Sequence, residues 1–375
     1  MLLKRKLCVA LVIATILFLM FASQNFTSLS PALSIGWGAP VDEVTGEETV
    51  VPQTEFPSDV APDSLNSDPP SNDPKPEEEE TSEDNSKKTK SKCGCTSCIS
   101  DLDGSEWFSK HYDPDQKPVL NSTNNNFDAD ALKWWLALQR SGNDQTLEGV
   151  MSKMFDVITP PKQDFKPHPS RCRRCAVVGN SGNLRESGNG NLINSHDFIF
   201  RMNKAVTRGF EKDVGNRTTY HLLYPESAVD VDPGVSLILL PFKLRDLEWL
   251  TSALSTGEVK MTYMRVKERV QADKDKVLVV NPAFFKYVND RWTEHHGRYP
   301  STGMLAIIFA LHTCDQVSVF GYGANQEGNW HHYWEDNRFA GAFRKTGVHS
   351  ADFETQVIHQ LAKEGKIRLH VPQNH

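Results

Sequence analysis

The chain has no excess of positive charge. Its 375 residues carry 41 lysines and arginines against 48 aspartates and glutamates, for a formal net charge of -7 at pH 7. A nucleic-acid-binding protein usually has a basic surplus, so the composition gives no support to that class. The length is sufficient for one large domain or two, with a sizeable buried core.

Long uncharged apolar runs are scarce, and one dominates the N-terminus. "LCVALVIATILFLMFA", residues 7–22, contains no charged side chain. As a helix it would rise ~24 Å, which suits a thin membrane of the secretory pathway. The basic residues of segment 1–6 keep that end cytoplasmic. We therefore expect a cytoplasmic tail at 1–6 and a transmembrane signal-anchor at 7–24. A cleaved signal peptide is the alternative, but Met20-Phe21-Ala22 is a poor cleavage site.

Aromatic residues are almost absent from segment 51–92, which has repeated prolines, an acidic run at 77–80 and then a lysine cluster. Such a segment buries too little apolar surface to offset its ordering entropy. We therefore expect a disordered stem at 25–92 and a folded lumenal domain at 93–375. A tail, anchor, stem and large C-terminal domain are typical of single-pass type II enzymes of the Golgi membrane, and less often of surface receptors.

Cysteines agree with a lumenal domain. Cys8 lies in the expected anchor, and six others follow: Cys93, Cys95, Cys98, Cys172, Cys175 and Cys314. Their C-x2-C spacings also occur in zinc clusters of cytosolic proteins. In an oxidising lumen an even set favours three disulfides, with the pairing left open. Sequons at Asn121 (NST) and Asn216 (NRT) predict glycosylation there.

Apolar runs alternate with helical patterns from Cys93 onward. Helical spacing recurs at 131–141, 147–158 and 302–314, and strand patterns occur at 175–178, 196–203, 235–242, 276–282 and 316–323. This alternation predicts an α/β fold with one mainly parallel sheet flanked by helices. Ligands of such sheets bind beyond the carboxyl ends of the strands.

The first predicted strand runs into a glycine-rich turn, "GNSGNL". Small residues let backbone amides approach a phosphate closely. A dinucleotide site is one alternative, but Gly179 and Gly182 do not complete G-x-G-x-x-G, and Asn203 ends the second strand where an acid would bind ribose. An ordinary tight turn is the other alternative. Polar side chains in the turn favour a polar ligand: Asn180, Ser181 and Asn183.

Four ordered motifs resemble those of animal sialyltransferases, specifically the β-galactoside α-2,3-sialyltransferases acting on Galβ1-3GalNAc. The long motif corresponds to residues 175–226 and the short motif to 281–314. The third is "HHYW", residues 331–334, and the last is the pair His349 and Glu354. The resemblance covers nearly all of 93–375.

This resemblance implies a GT-A-like variant with a single Rossmann-type sheet, stabilised by disulfides. It implies CMP-sialic acid as donor and inverting transfer onto the 3-hydroxyl of a terminal galactose, on glycoproteins or glycolipids. The implied disulfides are Cys93–Cys98, Cys95–Cys172 and Cys175–Cys314. A type II membrane lectin is the alternative from another class, and it would need neither a general base nor a nucleotide loop.

The chemistry requires a group that deprotonates the galactose hydroxyl and a group that stabilises the departing phosphate. A histidine suits either task. His349 matches the family's general base and His332 its phosphate-side histidine. His331 is expected to be structural, and Glu354 to orient the local backbone or ring.

Further site residues are implied by the motif match. The expected donor set is Asn180, Ser181, Asn203, Ser301, Thr302, Gly303 and Gly323, and the expected acceptor set is Gln139, Tyr263 and Tyr299. Ser301 or Thr302 also reads as a helix N-cap, at an end that attracts anions. The assignment of Gln139 rests wholly on the resemblance. Four tryptophans are expected in the core: Trp134, Trp135, Trp292 and Trp334.

We expect no metal cofactor. Adjacent histidines such as His331 and His332 rarely both face one ion. The helical i, i+4 spacing of a zinc site is also absent from His331, His332 and His349. Several D-x-D strings occur, but none closes an apolar strand. CMP is a monophosphate leaving group with little charge to neutralise, so metal independence is chemically reasonable.

Overall fold

The computed structural model describes residues 92–371 except 103, 122–126, 139–145, 161, 163, 326 and 337–346. The expected tail, anchor and most of the stem lie outside these residues, as does Gln139. Within the described ranges, no helix is long and apolar enough to cross a membrane.

Seven parallel strands form the central sheet in the order β5-β4-β3-β2-β1-β6-β7. The strands are β1 Arg174–Val178, β2 Phe198–Met202, β3 Tyr220–Leu223, β4 Ser236–Leu239, β5 Val277–Val279, β6 Gln316–Phe320 and β7 Arg368–His370. The chain adds β2 to β5 on one side of β1 and then returns to place β6 on the other. The crevice between the carboxyl ends of β1 and β6 is therefore the topological switch point, where open α/β sheets bind ligands.

Helices cover the sheet. They are α1 Glu106–His111, α2 Ala129–Leu138, α3 Leu147–Val157, α4 Gly190–Asn194, α5 Glu211–Val214, α6 Leu244–Ala253, α7 Pro282–Tyr287, α8 Thr302–Thr313 and α9 Ala351–Lys363. A π-helical turn, Val288–Trp292, follows α7. Helix α8 is buried from Met304 to Thr313 and packs against β1, β2 and β6. Its start is therefore held firmly beside the switch point.

The predicted α/β architecture is confirmed, with strands at all five predicted places. Strands β3 and β7 were not anticipated, because polar residues interrupt both segments, Tyr-His-Leu-Leu and Arg-Leu-His, and neither shows an apolar run or an alternating pattern. Only pairing with β2, β4 and β6 makes them strands. Of the tryptophans expected in the core, Trp135 and Trp292 are fully buried, whereas Trp134 and Trp334 are partly buried.

Three disulfides join the pairs that the resemblance implied, and the zinc-cluster alternative is wrong. Cα atoms lie 6.0 Å apart in Cys93–Cys98, 4.9 Å in Cys95–Cys172 and 6.1 Å in Cys175–Cys314. The last bridge joins β1 to the residue after α8 and spans 139 positions of sequence. By loop entropy, closure of a loop this long stabilises the fold by about 4–5 kcal/mol.

Candidate active site

The glycine-rich turn after β1 lies directly against the loop after β6. The amide of Gly179 donates to the Phe320 carbonyl at 2.7 Å, and the amide of Ser181 donates to the Gly321 carbonyl at 3.1 Å. A Cβ atom at position 179 would lie 2.2 Å from the Gly321 oxygen. Glycine is thus required there because two backbones meet.

The segment carrying the adjacent histidines pairs with the same turn. Ser181 and His332 form an antiparallel bridge, and the amide of Gly182 donates to the His331 carbonyl at 2.7 Å. The His332 Nδ1 atom lies 2.9 Å from Glu335 Oε1, and its ring stacks on Trp334 with centroids 4.6 Å apart. His332 is therefore held at the glycine-rich turn by a backbone bridge, a side-chain hydrogen bond and an aromatic contact together. Trp334, expected in the core, supports this ring instead.

Two asparagines end the neighbouring strands with buried, unpartnered oxygens. Asn180 Nδ2 donates to the Met202 carbonyl at 3.0 Å, whereas Oδ1 of Asn180 and Oδ1 of Asn203 have no hydrogen-bond partner in the structure. Asn203 also adopts a left-handed backbone, with φ of 58°. Buried polar atoms without partners are rare and costly. Both side chains are consequently suited to a polar ligand at the switch point.

Ser301 caps helix α8 and is itself held by a buried carboxylate. Its hydroxyl accepts from the Met304 amide at 3.1 Å. Glu354, in the first turn of α9, accepts from the Ser301 amide at 2.8 Å and from the Ser301 hydroxyl. Burial raises the pKa of Glu354 to about 7 against the opposing effect of these hydrogen bonds. Glu354 therefore orients the start of α8, with both of its oxygens occupied.

His349 is half-buried beside the same helix start. Its Nδ1 lies 2.8 Å from the Tyr299 carbonyl, which can only accept, so Nδ1 carries the proton and Nε2 has the free lone pair. Burial lowers the pKa of His349, with the Tyr299 hydrogen bond opposing. Position 297 must remain glycine, because φ is +95° and a Cβ would lie 3.0 Å from the His349 Cα. This close contact fixes the backbone that carries the imidazole.

Tyr322, which was not predicted from the sequence, connects the start of α8 to the glycine-rich turn. Its hydroxyl donates to the Gly303 carbonyl at 3.0 Å, and its own carbonyl accepts from Asn183 Nδ2 at 2.7 Å. Burial raises the pKa of Tyr322, and Glu354 adds to the effect. The phenol is thus a neutral donor that locks the start of α8 to the turn after β1. The only sequence signal was its place in the turn that closes β6.

The remaining expected residues divide into three cases. Thr302 and Gly303 form the first turn of α8, as expected. Gly323 has φ of +88°, and a Cβ there would meet nothing within 4 Å, so that backbone faces open space. Tyr263 lies apart on a turn and is 64% exposed, in contact with Lys243.

Aspartates of the D-x-D strings have ordinary structural contacts. Asp128 accepts from the Ala131 amide at 3.0 Å, Asp273 accepts from the Asp275 amide at 3.0 Å, and Asp230 binds Lys267 at 3.0 Å. Among the residues that the structure describes, no group of three or more His, Cys, Asp or Glu is arranged to hold a metal.

The family model of glycosyltransferase family 29 (sialyltransferase) matches residues 119–366. The chain belongs to this sialyltransferase family. The CMP-N-acetylneuraminate-beta-galactosamide-alpha-2,3-sialyltransferase 2 of Mus musculus is 54% identical over 279 residues, covering 74% of this chain and 79% of that protein. The corresponding sialyltransferase 1 of Homo sapiens is 50% identical, covering 74% and 82%.

Solved sialyltransferase structures share the fold. A mammalian sialyltransferase crystal structure superimposes with a TM-score of 0.69 at 46% identity, covering 75% of this chain and 99% of that one. A mammalian sialyltransferase in complex with Gal-beta-1-3GalNAc-ortho-nitrophenol matches with the same TM-score and identity, covering 75% and 100%. The family assignment therefore agrees at the level of sequence and of fold.

Proposed function

We propose that this sialyltransferase moves sialic acid from CMP-sialic acid to the 3-hydroxyl of the terminal galactose of Galβ1-3GalNAc, with inversion. The observation that carries the proposal is the His349 imidazole, whose fixed tautomer leaves Nε2 as a base beside the start of α8. The mouse and human relatives at 54% and 50% identity are named as alpha-2,3-sialyltransferases of beta-galactosamide. The related complex contains the disaccharide itself.

The donor is assigned to the crevice between β1 and β6. The unpartnered oxygens of Asn180 and Asn203 accept hydrogen bonds from CMP, and Gly323 allows the nucleotide to approach the backbone. Ser181 lies in the same turn. His332, braced by Glu335, donates to the departing phosphate. The positive end of α8, at Ser301, Thr302 and Gly303, attracts the carboxylate or phosphate of the donor.

The acceptor is assigned to the side of His349, with Tyr299, Tyr263 and Gln139 as its contacts. The galactose 3-oxygen forms a bond to the anomeric carbon of sialic acid as the bond to phosphate breaks. CMP leaves with the bonding electron pair, and Nε2 of His349 takes the hydroxyl proton. The neutral imidazole is the form that can do so, and the lowered pKa of His349 favours it at neutral pH.

The cellular setting follows the same reasoning. We infer a single-pass type II protein of the Golgi membrane, anchored through 7–24, with the disulfide-bonded domain in the lumen. Three disulfides support an oxidising compartment. Asn121 and Asn216 are exposed, as glycosylation requires. Treatment with an N-glycosidase should increase the electrophoretic mobility of the secreted domain, and removal of both sequons should abolish that change.

The test of function uses the purified lumenal segment with CMP-sialic acid and a panel of galactose-terminated disaccharides. We expect transfer onto Galβ1-3GalNAc with an α-2,3 linkage, and weaker transfer onto Galβ1-4GlcNAc. Linkage is read by product NMR. Binding of the disaccharides without transfer would identify a lectin, and preference for the β1-4 acceptor would overturn the acceptor assignment.

A further inference from the structure

Three charged side chains are buried together below the turn that carries Tyr263. Lys243 Nζ lies 3.0 Å from Glu226 Oε1 and 2.6 Å from Asp246 Oδ1. The side chains of Lys243 and Glu226 are each 4% exposed and that of Asp246 is 0% exposed. Removing three charges from water is costly, and apolar residues of similar volume often fill such space with equal or better stability. Stability alone therefore does not explain why these three charged side chains are buried together.

Asp246 connects the cluster to a group of aromatic side chains on the side of the site assigned to the acceptor. Asp246 Oδ2 accepts from the Phe242 amide at 2.8 Å. Tyr299 and Tyr224 pack on the Phe242 ring at 5.1 Å and 5.8 Å between centroids. Tyr299 is the residue whose carbonyl holds His349. The position of the Phe242 ring is thus coupled to the buried charges through its own backbone.

Glu226 and Lys243 contact the turn that carries Tyr263. The Thr262 hydroxyl donates to Glu226 Oε1, the same oxygen that Lys243 contacts. Lys243 Nζ also lies 5.0 Å from the centroid of the Tyr263 ring. Burial raises the pKa of Tyr263, and Glu226, Tyr224, Tyr299 and Asp246 add to the effect. Tyr263 is therefore linked to the cluster through Thr262 and through Lys243.

We propose that the Lys243–Glu226–Asp246 cluster is a positioning group that holds Tyr263 at the acceptor disaccharide, acting through the Thr262 hydroxyl and the cation above the ring. This inference rests on the proposed function, because Tyr263 is assigned there to the acceptor. Tyr263 alone could rotate freely on its exposed turn. A hydrogen bond from the preceding residue to a buried carboxylate fixes the turn, which lowers the ordering cost of binding the sugar.

The test removes the link without leaving a charge unpaired. Thr262→Val keeps the shape of the side chain and the Lys243–Glu226 pair but loses the hydroxyl. We expect the acceptor KM to rise about tenfold, as for loss of a hydrogen bond to a charged group. The donor KM and the affinity for CMP should stay unchanged, and the thermal midpoint should fall by no more than a few degrees. Thr262→Ser should restore the acceptor KM.

A matched control is Thr251→Val in α6, whose hydroxyl bonds only to the Leu247 carbonyl of its own helix. Its kinetic constants should equal those of the wild type. In a Tyr263→Ala background, Thr262→Val should add little further loss, because both changes act on one contact. An unchanged acceptor KM in Thr262→Val, or fully additive losses, would overturn the proposal.

A binding measurement separates this inference from the proposed function. The dissociation constant of Galβ1-3GalNAc is measured by calorimetry with saturating CMP, which requires no turnover. Weaker binding in Thr262→Val, restored by Thr262→Ser, would support positioning even if the wild type transferred no sialic acid. Normal transfer by the wild type with equal disaccharide binding in all three proteins would reject positioning and leave the proposed function intact.

Discussion

His332 and His349 are held in opposite ways. His332 lies at the surface of the crevice, with a carboxylate on Nδ1 and an indole against its face. His349 is half-buried, with a backbone carbonyl on Nδ1. A carboxylate neighbour stabilises positive charge on a ring, whereas a carbonyl in a partly buried site fixes the tautomer of a neutral ring. The two sites therefore differ in burial and in the group that binds Nδ1, and the proposed function assigns His332 to the phosphate and His349 to the galactose hydroxyl.

The comparison shows that the surroundings of an imidazole depend on which group binds its second nitrogen. Both histidines belong to short motifs near the end of the chain, and neither motif contains the decisive partner of His349. That partner is Tyr299, 50 positions away in the sequence. The following experiments test whether the two histidines have the different roles that we propose.

The largest effect is expected from His349→Ala. Loss of a general base lowers turnover by about 10²–10⁴-fold, while the donor crevice stays intact, so CMP affinity measured by calorimetry should change little. His359→Ala, an exposed substitution on α9, is the control and should keep wild-type turnover. Near-normal turnover in His349→Ala, or a parallel loss of CMP binding, would end the assignment of His349 as base.

The pH profile sharpens the same point. Burial lowers the pKa of His349 below its ordinary value of 6.5, so the ring is neutral at pH 7 and becomes protonated only in more acidic solution. Wild-type kcat/KM should therefore be level near neutrality and fall by about tenfold per pH unit below that pKa. The residual activity of His349→Ala should lack this acidic limb. A limb that persists unchanged in the variant would belong to another group.

His332→Ala should have a smaller effect of a different kind. Removal of a charge-assisted hydrogen bond to phosphate costs about 1.5–3 kcal/mol, so CMP should bind roughly 10–100-fold more weakly and turnover should also fall. Calorimetry with CMP separates the two histidines directly. If CMP binding were unchanged while turnover collapsed, His332 and His349 would have to exchange roles.

Glu354→Gln should change turnover only a few-fold. The amide keeps an oxygen that accepts from the Ser301 amide, whereas Glu354→Ala leaves that buried donor unsatisfied, at a cost of about 1–3 kcal/mol in the free energy of unfolding. Initial rates and thermal unfolding of both variants are the measurements. Loss of activity in the stable Glu354→Gln protein would make this carboxylate the base in place of His349.

Metal chelation should have no effect. In the proposed mechanism His349 takes the hydroxyl proton and His332 donates to the phosphate, so no metal is required and initial rates in excess EDTA should equal those in buffer. Apparent loss of activity must be checked by restoring Mg²⁺ or Mn²⁺. Restored activity would mean that the phosphate is neutralised by a cation and not by His332 alone.

Local pattern was sufficient for much of this protein. Buried strands such as Ser236–Leu239 lie in apolar runs, and helix α8 begins at a Ser-Thr-Gly step and ends at Thr313, just before Cys314. These features depend on residues close together in the chain, so they can be inferred from sequence. The motif residues Asn180 and Asn203 were also recognisable, because they close predicted strands.

Long-range partners were beyond sequence reasoning. Strand β7 exists because Ser318 to Phe320 offers an edge for pairing, since the sequence Arg-Leu-His has no strand pattern of its own. The Tyr322 hydroxyl donates to the Gly303 carbonyl, and Lys243 pairs with Glu226, only after the sheet has brought separate loops together. The disulfide pairing was implied by the resemblance to a family, whereas the residues alone left the pairing open.

The sequence by itself determined many of the segments that become strands and helices, and which side chains are able to do the chemistry, because backbone preference and side-chain type are local properties. Tertiary structure alone decided which nitrogen of His349 is free and which carboxylate orients Ser301. It also decided that two asparagine oxygens remain without partners at the switch point. Hydrogen-bond partners and burial depend on groups far apart in the chain, and only the folded chain brings those groups within bonding distance.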